Sequence, residues 1–177
     1  MTGTSQFKRG MKVEDWLDRF FRCLGYKIES TTPYLERTLC LGDRIFTRRD
    51  GQQFYIEYKS GLQTFFTGNI FLETLSVDSQ DKPGWVYTCR ADFLLYAALY
   101  NDKILIMRPV DLRARIEALK SGFQIKKTGK GQNRGYDTHG VLVPLDYAER
   151  CLTASIIRGP SPCWGPALRP KTTNSES

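Results

Sequence analysis

The sequence predicts an α/β (α+β) domain, and three observations predict it. A helical apolar stripe runs through residues 13–24, two apolar stretches flank an Asp-Gly turn within residues 44–59, and a second helical stripe follows Pro109. The chain has 177 residues, 41% of them hydrophobic and 25% charged. That composition is ordinary for a globular domain and leaves room for one buried core plus tails.

The elements follow in order. Residues 1–10 read as a flexible basic arm, residues 11–157 as a single domain. Val13, Trp16, Leu17, Phe20, Phe21 and Leu24 recur at helical spacing, and Gly25 ends the helix. Asp15, Asp18, Arg19 and Arg22 take its wet side, whereas Glu14 lies beside Leu17 and Phe21 at the edge of the buried stripe. Residues 26–30 read as a first strand. Residues 44–47 and 54–59 read as a hairpin around Asp50-Gly51. Period-two alternation in its second strand sends Phe54, Ile56 and Tyr58 to one face and Tyr55, Glu57 and Lys59 to the other.

Residues 70–75 form a short apolar run carrying Glu73, and residues 78–84 a polar loop. Residues 85–88 and 93–100 read as strands, although the Leu and Ala content of the latter leaves a helix open. Asn101-Asp102 then turns the chain into a strand at 103–107. Pro109 opens a helix that faces Leu112, Ile116 and Leu119 inward, and Gly122 stops it. Residues 120–136 are rich in Lys, Gly and Gln and hold no acidic residue. Residues 141–143 read as a late strand and 146–157 as a short helix. Residues 158–177, with Pro160, Pro162, Pro166 and Pro170, read as a disordered tail.

The net charge of +7 points toward polyanionic partners and says nothing of fold. No apolar run is long enough for a bilayer and no secretory h-region is visible, so the expected location is cytoplasmic, nucleoid-associated in a bacterium or phage. Cys23, Cys40, Cys89, Cys151 and Cys163 are scattered without CxxC spacing, which argues for reduced thiols over a zinc cage or disulfide framework. The one histidine, His139, sits in a Gly-rich stretch where solvent exposure is the ordinary expectation. A cysteine hydrolase built on it would lack any nucleophile context.

The chemistry concentrates in Gly42-Asp43-Arg44-Ile45-Phe46 and Phe54-Tyr55-Ile56-Glu57-Tyr58-Lys59. Charges inside an apolar strand are costly unless paired or employed. Glu57 and Lys59 share a face by alternation, but Asp43 joins them only in one hairpin register. A two-residue Asp50-Gly51 loop places Asp43 opposite Tyr58. A three-residue Arg49-Asp50-Gly51 loop, with Gly51 left-handed, places it opposite Glu57.

A helix with Glu14, a strand entered at Asp43 and a strand with Glu57-x-Lys59 together resemble the PD-(D/E)XK nuclease superfamily over about residues 11–75. Gly42 stands where that family often has proline. Glu14 matches the helical acidic residue of some branches, the archaeal-type Holliday junction resolvases among them. The resemblance implies a restriction endonuclease-like mixed sheet flanked by helices. It implies Mg²⁺, with Mn²⁺ able to substitute, held by Asp43, Glu57 and the carbonyl of Tyr58. Asp43, Glu57, Lys59 and Glu14 are then the catalytic set, with Glu73 a further carboxylate to consider.

The implied reaction is hydrolysis of DNA phosphodiesters, structure-selective for branched DNA, with RNA left open and a homodimer expected. Lys126, Lys127, Lys130 and Arg134 would track the phosphate backbone, with Phe123 and Tyr136 interleaved for stacking. The alternative is a non-catalytic nucleic-acid-binding protein on the same fold, part of a phage or mobile-element complex.

Overall fold

A computed structural model describes residues 3–98, 103–128 and 136–158. In chain order it contains α1 (Gly3–Cys23), β1 (Lys27–Ser30), a π-helical turn (Tyr34–Thr38), β2 (Arg44–Thr47), β3 (Gln53–Ser60), α2 (Leu62–Thr67), β4 (Asn69–Val77) and β5 (Lys82–Pro83). There follow α3 (Trp85–Thr88), β6 (Phe93–Ala98), β7 (Lys103–Met107), α4 (Pro109–Gly122), β8 (Ile125–Thr128), β9 (Thr138–Pro144), α5 (Leu145–Cys151) and β10 (Thr153–Arg158).

The strands form two sheets. The first has the order β1-β2-β3-β6-β7-β10 and is mixed: β3 and β6 run parallel while its other neighbours are antiparallel. The second, β5-β4-β9-β8, is antiparallel throughout. Helix α1 covers one face of the first sheet, seating Val13, Leu17 and Phe21 on Phe46, Ile56, Tyr58, Leu95 and Ala97. The opposite face carries Leu94, Tyr96, Leu105 and Met107, which meet Ile70, Leu72, Val141 and Val143 of the second sheet and Leu112, Ile116 and Leu119 of α4. The protein is thus a mixed α+β structure with a mixed sheet flanked by helices.

This layering explains the run at 93–98. Strand β6 is buried on both faces, from Leu94 through Ala98, so it shows no alternation. Each fully buried leucine there contributes about 1.5–3 kcal/mol through removal from water. The helix left open for this segment is ruled out by its pairing with β3 and β7.

Three local expectations are corrected. Residues 85–88 are a helical turn, α3, because Gly84 caps it and Cys89 N–H closes on the Trp85 carbonyl, while Val86 is anchored in the core. The helix expected over 146–157 ends at Cys151, and β-branched Thr153, Ile156 and Ile157 pair with β7 instead. Helix α1 already begins at Gly3, so residues 3–10 continue it rather than form a flexible arm. The basic segment after α4 includes a strand, β8, which closes the edge of the second sheet. No described helix is long and apolar enough to cross a membrane.

Candidate active site at the β2–β3 hairpin

The hairpin pairs Arg44 with Ile56, Ile45 with Tyr55, Phe46 with Phe54 and Thr47 with Gln53. One more step in this register puts Asp43 opposite Glu57. The register follows from the turn. Arg48 N–H donates to the Gln52 carbonyl (2.9 Å), and Gly51 N–H donates to Arg48 (3.0 Å). Gly51 is left-handed at φ +86°, so the loop is the three-residue Arg49-Asp50-Gly51 form.

Beyond Arg44 the strand bends at Gly42, where φ is +98° and a Cβ would lie 2.5 Å from the Ile56 carbonyl oxygen. Glycine is required on both counts. The bend lets Asp43 N–H donate to that carbonyl (2.8 Å), while Asp43 Oδ2 accepts from Tyr58 N–H (2.8 Å). A side-chain carboxylate has taken the place of a main-chain acceptor in the ladder. From β1's end, Thr31 N–H donates to the Asp43 carbonyl (3.1 Å) and Thr31 Oγ1 to that of Gly42 (2.7 Å). An extended residue points its N–H and C=O to the same strand edge, so the Tyr58 carbonyl faces the side from which Asp43 approaches.

Glu57 and Lys59 lie on the β3 face turned toward the second sheet, their register partners being Leu94 and Tyr96. The Lys59 ammonium donates to Glu57 Oε1 and stands 5.9 Å from the centre of the Trp85 ring. Burial raises the Glu57 carboxyl above the ordinary range; the Lys59 charge opposes this, and the negative charge of Asp43 adds to it. Burial pulls the Lys59 ammonium down, but the charge and hydrogen bond of Glu57, with the charge of Asp43, reverse this and leave its pKa above normal. Lys59 is therefore an ammonium at neutral pH. The hydrogen-bonded Glu57 and the nearby charge of Asp43 outweigh the cost of burial. Burial likewise raises Glu73, against the Lys59 charge as the largest opposing influence. Buried Cys89 is also beside this group, its thiol pushed up to about 11 by burial and then by the charge of Glu57.

Glu14 occupies a different position. Arg44 Nη2 donates to Glu14 Oε2 (3.0 Å), and Arg44 Nε lies 3.2 Å from both Asp18 oxygens. The Tyr58 hydroxyl donates to Asp18 (2.9 Å), and the Arg44 guanidinium stands 5.4 Å from the Tyr58 ring centre. This network fills the α1 side of β3, opposite Glu57 and Lys59. Burial, then the charge of Asp43, raises the Glu14 carboxyl despite Arg44. Glu14 therefore senses Asp43 but gives its carboxylate to Arg44.

Asp18, expected on the wet side of the helix, is 8% exposed because it is the anion shared by Arg44 and Tyr58. Its i, i+4 spacing from Glu14 was a legible hint of a paired carboxylate face; Trp85 had no local signal at all.

Lys126 and Lys127 are exposed on edge strand β8, two strands from β4, or about 10 Å at ordinary strand spacing. Lys130 and Arg134 lie outside the described residues. Phe123 is half-buried with its ring centre 4.9 Å from that of Tyr147, so it packs rather than standing free for a base. His139 belongs to β9, not a loop, and its Nε2 is buried.

Among the described residues, no three His, Cys, Asp or Glu side chains form a ready metal cage. Asp43 lies across the hairpin register from Glu57 and its charge acts on the Glu57 carboxyl, with the Tyr58 carbonyl on the strand edge that Asp43 approaches. No family model, no curated protein and no solved structure matches this chain.

Proposed function

We propose that this protein is a metal-dependent endonuclease of the PD-(D/E)XK type, on a restriction endonuclease-like core. One observation carries the reading. Asp43 stands across the hairpin from Glu57, and Lys59 sits on the Glu57 carboxylate, in a half-buried place where burial, and then the charge of Asp43, raise the energy of the ionised Glu57. A divalent cation relieves that repulsion. Mg²⁺ accepts hard oxygen donors and is commonly held by one or two carboxylates, the rest of its shell being water and phosphate, so Asp43, Glu57 and the Tyr58 carbonyl fit it. Mn²⁺ fits the same oxygens.

The bound ion would supply Lewis-acid stabilisation of phosphoryl charge and a more acidic water. The chain's own groups do the rest. Tyr58 N–H fixes the Asp43 carboxylate, and the Gly42 bend sets its depth. Lys59, held as an ammonium, orients a water or neutralises charge developing on the phosphate, rather than acting as a base. Glu14 supports Asp43 through Arg44, the next residue in the chain. The exposed Lys126 and Lys127 add phosphate contacts within reach of the same nucleic acid. We take the substrate to be DNA, branched DNA in particular, as the resemblance of residues 11–75 to the PD-(D/E)XK nucleases, with Glu14 in the place of the resolvases' helical acid, implies.

The test is incubation with branched, duplex and single-stranded DNA, and RNA counterparts, with and without Mg²⁺ or Mn²⁺. Cutting should require metal, and Asp43→Asn and Glu57→Gln should each lower it at least about 100-fold while leaving binding in place. Binding with no metal-dependent cutting would make this a non-catalytic nucleic-acid-binding protein.

A further inference from the structure

Among the described residues Lys59 is the only cation paired with the Glu57 carboxylate, and a Glu57 that turns to a metal ion must give it up. An ammonium left unpaired in a half-buried site is costly. The second sheet offers an alternative partner. Lys59 already leans over Trp85, 5.9 Å from its ring centre, on the face turned toward β4. Gly84, the residue before Trp85, donates its N–H to the Thr74 carbonyl (3.0 Å), so the Trp85 segment is tied to β4 beside Glu73. The half-buried Glu73 carboxylate accepts hydrogen bonds from the Trp85 N–H and the Ser76 hydroxyl, which hold it beside the ring that Lys59 stands over, and it has no ion pair among the described residues. Lys59 is the strongest positive influence on its carboxyl, ahead of Lys82.

We infer that Glu73 is a positioning residue, the carboxylate from the second sheet that receives Lys59 when Glu57 releases it. The inference rests on the nuclease reading and adds to it: the site then spans both sheets, and cation loading is coupled to a short swing of Lys59 past Trp85. Glu73 itself touches neither metal nor phosphate. Its removal should hurt cation binding only because Lys59 then competes harder for Glu57.

Titration calorimetry with Mn²⁺ on the full chain separates the possibilities. Glu73→Gln should weaken Mn²⁺ binding about tenfold, the scale of an outer-shell partner. In a Lys59→Met background the same substitution should change affinity less than about twofold, because no ammonium remains to compete. Equal weakening in both backgrounds would make Glu73 a direct cation contact and overturn the inference, as would no change in either. Should Glu73→Gln fail to fold, Glu73→Asp keeps the charge and shortens its reach, and wild-type Mn²⁺ affinity there would count against the role. Glu57→Gln is the control for the underlying reading. Mn²⁺ binding unaffected by that change would sink the metal site itself, whatever Glu73 does.

Discussion

Asp43 is where residue chemistry and backbone geometry meet. Its carboxylate accepts from Tyr58 N–H because the preceding glycine bends the strand into contact with Ile56. Gly42→Ala should therefore be damaging twice over. The new Cβ is forced against the Ile56 carbonyl, and φ +98° is strained for alanine. Together these should cost about 2–4 kcal/mol, seen as a lower urea midpoint with little change in m-value. Under the proposed nuclease function, cleavage should fall further than stability, since Asp43 loses its seat; a neutral urea profile would show that the bend relaxes freely. The glycine was legible in the sequence, but its reason was not, because the contact is with a residue fourteen positions away.

At the scale of elements, the hairpin was the most legible part of the chain. Asp-Gly marked the turn, alternation fixed the faces of Glu57 and Lys59, and the left-handed Gly51 selected the register that brings Asp43 across from Glu57. Elements whose character depends on distant partners were less legible. Trp85–Thr88 has strand-favouring residues yet makes a helical turn, because Gly84 is tied to β4. Thr153–Arg158 becomes a strand only because β7 has an open edge for it. The site shows the same division: Glu57 and Lys59 could be paired from the sequence, whereas the capture of Glu14 and Asp18 by Arg44 required α1 to lie across β2. Strand β8 sets an electrostatic test. If Lys126 and Lys127 each neutralise a phosphate, replacing both with alanine should reduce the slope of log affinity against log salt by about 1.8 on duplex DNA. An unchanged slope would leave β8 as an edge strand protected by its charges.

At the scale of the whole molecule, Glu14, Glu57 and Glu73 all have carboxyl pKa values raised above 4.5 in the folded chain. The folded state then binds protons more tightly than the unfolded one. Stability contributed by these groups falls as pH rises from about 4.5 through the raised values, and the loss is complete above them. A cation held by Asp43 and Glu57 should restore part of it. Thermal melts with Mg²⁺ against chelator should show a gain at pH 7.5 that shrinks toward pH 4.5, as Glu57 protonates. With ligand at 100 times its Kd the gain is about 2.7 kcal/mol. A Tm indifferent to metal at pH 7.5 would count against the site.

What the sequence by itself determined was local: the amphipathic α1, the Asp-Gly hairpin, the common face of Glu57 and Lys59, and the two registers open to Asp43. Those follow from spacing and turn chemistry, which act over a few residues. Only the tertiary structure decided that strand β6 is buried on both faces, that Arg44 draws Glu14 and Asp18 to the α1 side, and that Trp85 of α3, tied through Gly84 to β4, stands over Lys59. These depend on burial and on charges from distant parts of the chain, which no local pattern specifies.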